Sequence, residues 1–173
     1  MTERLAPGIP LPAYSYVPGR FPHPRADPAG HRFGAELPAA LVPDPARWAD
    51  SLPYVLGIDL FNHGYFWEAH ECWESLWHAC GRRGPLATFF KALIQLAVVG
   101  VKAREGRPEG VSAHARRARD LFAEVAQETA ALMGLRLSEL IAHADQILAS
   151  PPTGKHLAAS VEVVFPFELV PRS

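Results

Sequence analysis

"FWEAHECWESLWHAC", residues 66–80, decides how this chain is read. Three carboxylates and two histidines are interleaved with three tryptophans, at spacings that fit one helix. Successive residues of an α-helix turn by about 100°. With His70 at zero, Glu74 falls at about 40°, Trp67 at about 60°, Glu71 at about 100° and Trp77 at about −20°. Those five side chains share one broad face. Glu68 and Ser75 fall toward the other side and are expected in water.

The charge pattern around this helix is one-sided. From Trp48 to Gly81 there is no Lys or Arg, whereas Asp50, Asp59, Glu68, Glu71 and Glu74 are all acidic. These carboxylates need a distant basic residue, a retained proton or a cation. A cation has a physical logic, because His and Glu at i and i+4 converge on a point just off the helix surface, as in helical zinc and di-iron sites. His70 and Glu74 are the first candidate metal ligands, and Glu71 is a third ligand or a base acting on bound water. The ion would be one divalent metal: zinc, manganese or iron. Glu71 stands where the H-E-x-x-H metalloproteases place their base, but the fifth residue is Glu74 rather than His, so that motif is not matched. Candidate lining residues are Trp67 and Trp77 on the same face, Gln95 in the most apolar helix, and Asn62 and His63 in the preceding turn. His23 and His31 are further candidates, from the N-terminal arm. A second reading needs no metal: His70 bonds Glu74, and Gln95 satisfies a carboxylate across the helix interface, since buried polar groups must be paired. His78, at the helix end, reads as a cation complementing the C-terminal dipole.

Working outward, residues 1–45 hold most of the seventeen prolines together with Tyr14, Tyr16, Phe21 and Phe33. Pro and Gly at this density exclude helix and central strand, while the aromatics argue for an extended arm packed on the domain rather than a disordered linker. From residue 46 the chain reads as helical to about residue 150. Asp44-Pro45 is a start signal, and Pro53 and Gly57 are expected to break the segment that follows it. The motif helix spans about Tyr65 to Ala79. Further helices follow over about Leu86 to Arg104, Val111 to Met133 and Ser138 to Ala149. The Leu86–Arg104 segment is apolar almost all round, as a central helix is. Residues 151–173 read as an extended strap. No hairpin series is evident. The expected architecture is an all-α antiparallel bundle with a proline-rich extended arm.

Composition sets limits. The chain has 173 residues, 49% apolar, with a formal net charge of −1, which gives no global pull toward nucleic acid or an anionic membrane. The apolar window 89–101 is too short to cross a bilayer. Cys72 and Cys80 are too far apart along one helix for a disulfide, so a reduced, cytoplasmic protein is expected. Lys102, Arg104, Arg107, Arg116, Arg117 and Arg119 form a basic stretch, but without interleaved aromatics it reads as a solvated face or an internal partner for the acidic helix.

The pattern resembles a bacterial and archaeal family, domain of unknown function 309. Its H-x-x-x-E-x-x-W hallmark is matched by His70, Glu74 and Trp77, its Phe-Asn-x-Gly lead-in by Phe61, Asn62 and Gly64, and its Glu-Ala-His-Glu run by residues 68–71. Its Gly-Leu-Ile-Gln signature is read here as "ALIQ", residues 92–95, with Ala92 in place of glycine. The resemblance covers about residues 52–125. It implies an all-α fold and carries a suggestion that the His and Glu bind metal; no enzymatic activity comes with it. Two functional readings stand side by side: a metal-binding helical protein with hydrolase chemistry, and a non-enzymatic module that binds a peptide or small molecule. Nucleic acid and membrane are not expected as partners, and homo-oligomerisation is left open.

Overall fold

The computed structural model describes residues 3–35, 39–156 and 158–172. After the arm come a 3-10 helix (Pro45–Asp50), α1 (Leu52–Asn62), α2 (Phe66–Ala79), α3 (Pro85–Glu105) and α4 (Pro108–Ala126). A short hairpin of β1 (Ala131–Leu132) and β2 (Leu135–Arg136) then leads into α5 (Leu137–Ala149). Each α-helix packs on the next in sequence, from α1 on α2 to α4 on α5. Short connections make such neighbours antiparallel, and the fold is an all-α bundle.

The composition of α3 dictates its place. Phe89, Phe90, Leu93, Leu96, Ala97 and Val101 lie on one broad face, and Ala87, Ala92, Val99 and Ala103 widen the buried arc on either side of it, because α3 packs against both α2 and α4. By length and composition this helix could cross a membrane, being longer than the window visible in sequence, yet 67% of its apolar stretch is buried inside the protein. That is the position of a core helix.

The start signal at Asp44 works locally: its carboxylate accepts the Ala46 N–H at 2.9 Å, and Pro45 occupies the first helical position, where no N–H is needed. The expected break comes at Ser51, whose extended backbone separates the 3-10 helix from α1 just before Pro53, but none occurs at Gly57. Pro53 sits in the first turn of α1, where it is tolerated, and α1 runs through Gly57 because the indole of Trp73 lies against that residue's bare Cα. The glycine there serves close packing of α1 on α2.

The expected helix over Val111–Met133 is also corrected at its end. It stops at Ala126, and residues 131–136 fold back as a two-strand hairpin. Met133 and Gly134 both have positive φ, 52° and 77°, the signature of a tight two-residue turn. The Tyr54 hydroxyl holds the turn by donating to the Met133 carbonyl at 2.6 Å.

Arm and tail both fasten to the bundle. The Ser15 N–H donates to the Ser160 carbonyl at 2.8 Å. Asn62 exchanges two hydrogen bonds with the backbone of Leu169, at 2.8 and 2.9 Å. The Leu5, Ala6 and Tyr16 N–H groups of the arm donate to Asp59 of α1 and Glu68 of α2, so the arm lies over the α1–α2 part of the bundle, where the motif helix is.

Candidate functional site

The acidic helix finds its basic partners in the arm. Glu71 receives Arg25 Nε at 3.0 Å and Arg32 Nη1 at 3.5 Å. Burial nonetheless pushes the Glu71 carboxyl up, against the pull of the two guanidinium groups. On the preceding helix, Asp59 in the last turn of α1 accepts the backbone N–H groups of Leu5 and Ala6, each at 2.8 Å, with Arg4 beside it at 3.5 Å.

Glu68 overturns the sequence expectation most sharply. It was expected in water and is instead completely buried. One carboxylate oxygen accepts the Tyr16 N–H at 2.9 Å and meets His31 Nε2 at 2.9 Å. The physical reason is the arm, which covers the side of α2 that a helical wheel assigns to solvent. The other oxygen has no hydrogen-bond partner. Arg104 of α3 is buried to 1% exposure in the same region; Nη2 donates to the Ala159 carbonyl at 2.6 Å, and Nε and Nη1 have no partner. Burial lowers the Arg104 pKa, while Glu162 and then Glu68 oppose that shift through their charge.

The five side chains predicted to share a face do share one: Trp67, His70, Glu71, Glu74 and Trp77 are all half-buried. His23 packs edge-on against Trp67, with ring centroids 5.3 Å apart, and its Nδ1 accepts the Arg25 and Ala26 N–H groups at 3.2 Å. His70 and Glu74 interact through charge, and burial holds the imidazole pKa below its ordinary value despite Glu74. Lys91 of α3 acts in the same direction as burial, and its ammonium sits 4.1 Å from the Trp77 ring centre, a cation–π distance. Gln95 is turned away from the expected triad with His70 and Glu74: its carbonyl oxygen meets His114 Nδ1 of α4 at 2.7 Å. Asn62 holds the tail, as above, and His63 bonds the Asp59 carbonyl through Nδ1 at 2.8 Å; both serve the turn between α1 and α2. His78 accepts Arg82 Nε at 3.0 Å.

A divalent metal can be tested against this donor set. In its favour, His70 Nδ1 is shielded from solvent and has no hydrogen-bond partner. Against it, Glu71 is engaged by two arginines and a lysine ammonium faces His70. Among the described residues no group of three or more His, Cys, Asp or Glu is placed to hold a metal ion, and protein zinc sites supply at least three ligands. The residues do not fit the ion.

Sequence reasoning missed Glu68, Arg25, Arg32, Lys91 and His114 as members of this region, and left Arg104 between a solvated face and an internal partner for the acidic helix, of which the second is what its burial and the Glu68 charge support. One signal was available: five acids with no neighbouring cation required basic residues from elsewhere, and the arm carries Arg25 and Arg32, each within two residues of a histidine singled out there.

No curated protein matches the chain. Residues 54–113 match the model of a family described as a domain of unknown function (DUF309). That segment runs from α1 into α4 and includes the motif helix and "ALIQ"; the arm, the hairpin, α5 and the tail lie outside it. Over residues 54–113, therefore, this all-α chain is similar to the domain of unknown function DUF309.

Proposed function

We propose that this chain is a binding module whose acidic α2 face takes an extended polypeptide bearing spaced cations, and that its own arm is the resident segment. The observation that carries the reading is the bonding of Glu68 and Glu71, whose partners are a backbone N–H, a histidine and two arginines of the arm. Carboxylates that accept backbone N–H groups recognise extended chain, and paired guanidinium groups add charge-assisted bonds. Nothing in this arrangement calls for a reaction.

The test uses the full chain carrying Arg25→Ala and Arg32→Ala, which loosens the arm, titrated with a fluorescent peptide of residues 13–34. The tethered arm acts as a competitor at an effective concentration in the millimolar range. The variant should therefore bind the peptide at least about tenfold more tightly than the unaltered chain. A variant with native helicity that takes up no peptide contradicts the proposal, as does equal binding by both proteins.

The metal-hydrolase reading rests on His70 and Glu74 alone and gains no third donor from the described residues. A resident ion binding only the folded state would stabilise it by mass action. Adding zinc, manganese or iron(II) to the metal-free chain is expected to raise the melting temperature by less than about 2 °C. A reproducible rise of several degrees, abolished by His70→Ala, would restore the metal reading.

A further inference from the structure

A cavity of about 750 Å³ lies between the 3-10 helix, the hairpin and the C-terminal segment. None of its lining residues falls within the family segment 54–113, so the motif helix does not explain it. Its volume is in the range of small-molecule sites, roughly 300–1,000 Å³.

The walls are held in place by bonds from three parts of the chain. The Tyr54 hydroxyl fixes the Met133 carbonyl at 2.6 Å. The Arg172 N–H donates to the Gly134 carbonyl at 2.8 Å, and the Leu137 N–H to the Ala130 carbonyl at 3.0 Å. The Trp48 indole closes one side, edge-on to Tyr54 at 6.2 Å. A Cβ on Gly134 would lie 2.7 Å from Trp48 Nε1, so the glycine allows the indole to sit against the turn.

The chemistry of the lining is asymmetric. Most of it is apolar, with Trp48, Leu132 and Met133 the large apolar side chains among the lining residues. Its charged groups are both cations, Arg136 and Arg172, and Ser138 also lines it. Arg172 is paired with Glu139 at 2.8 Å. Arg136 is exposed and has no ion-pair partner among the described residues. An apolar pocket with an uncompensated guanidinium complements an anionic head on an apolar body.

We infer that this cavity binds a small organic anion, a carboxylate or phosphate ester, with its head at Arg136 and its body against Trp48, Leu132 and Met133. The inference is independent of the arm-docking reading and survives its failure.

The test is a titration of the ¹⁵N-labelled full chain with phenyl phosphate and with 4-phenylbutyrate, followed by NMR. Benzyl alcohol and inorganic phosphate serve as the neutral and headgroup-only controls. At least one organic anion should shift the Trp48 indole N–H and the amides of Leu132–Arg136, and should bind at least about tenfold more tightly than either control. If one anion alone binds, it identifies the head group. Arg136→Ala should weaken binding about tenfold, the loss expected for one charge-assisted hydrogen bond. Arg136→Gln, which keeps a polar side chain with the stem out to Cδ but removes the charge, takes its place if alanine disturbs the hairpin resonances. No shift with either anion overturns the inference. So do equal binding of benzyl alcohol, affinity unchanged in both Arg136 variants, or shifts confined to residues away from the cavity.

Discussion

Replacing Glu68 with alanine is expected to destabilise the fold by about 3–5 kcal/mol, the cost of breaking a buried ionic cluster by removing one member. The side chain is fully buried and holds the Tyr16 N–H and His31 through one oxygen. Its charge also acts on the buried Arg104 guanidinium, whose Nε and Nη1 have no hydrogen bond. Alanine would leave an orphaned backbone donor and Glu162 as the remaining carboxylate acting on Arg104. Glu68→Gln keeps an oxygen for the Tyr16 N–H but not the charge, so it should lose less than alanine does. Combining Glu68→Gln with Arg104→Met should cost less than the sum of the two, because the pair is removed together. Urea unfolding followed by tryptophan fluorescence measures each difference. A loss below about 1 kcal/mol for Glu68→Ala, the range of exposed ion pairs, would show that the carboxylate is not enclosed by the arm.

Gly100→Ala should be, with Gly57→Ala, among the most damaging single methyl groups that can be added to this core, at about 1–3 kcal/mol and toward the upper end of that range. A Cβ at residue 100 would fall inside the contact radius of the Phe66 ring. That ring cannot yield easily. It is 1% exposed and meets Phe61 and Phe165 at centroid distances of 5.5 and 5.2 Å. Interiors packed this densely transmit strain instead of absorbing it. Gly8→Ala is the control: nothing lies within 4 Å of a Cβ there and its φ is not positive. In the Gly100→Ala background, Phe66→Leu should recover part of the loss by opening space. Thermal unfolding reports both effects, and a Gly100→Ala protein as stable as the Gly8→Ala control would refute the packing argument.

The framework was legible because helical periodicity is a local property. The three- and four-residue spacing of Leu86, Phe89, Phe90 and Leu93 located α3 to within a residue, and the shared face of Trp67, His70, Glu71, Glu74 and Trp77 was correct. The misreadings involved partners distant in sequence. Gly57 looked like a breaker because Trp73, which packs on it, is sixteen residues away. Glu68 looked solvated because a helical wheel places residues around one axis and cannot include an arm that covers the outer side. The hairpin at Met133–Gly134 was hidden by the apolar stripe of α4, which continues into Leu132 without a change of composition. The metal expectation followed from real i, i+4 geometry, but the third donor position depends on tertiary neighbours, and there the protein places arginines and a lysine.

The central claim is that the arm is seated on the bundle through carboxylates of α1 and α2. Native-state hydrogen exchange of the full chain tests it most directly, at the Leu5, Ala6 and Tyr16 amides that donate to Asp59 and Glu68. The account predicts that these three exchange far more slowly than unstructured peptide, and that Glu68→Gln accelerates Tyr16 more than Leu5. Exchange of all three at the unprotected rate in the unaltered protein would contradict it.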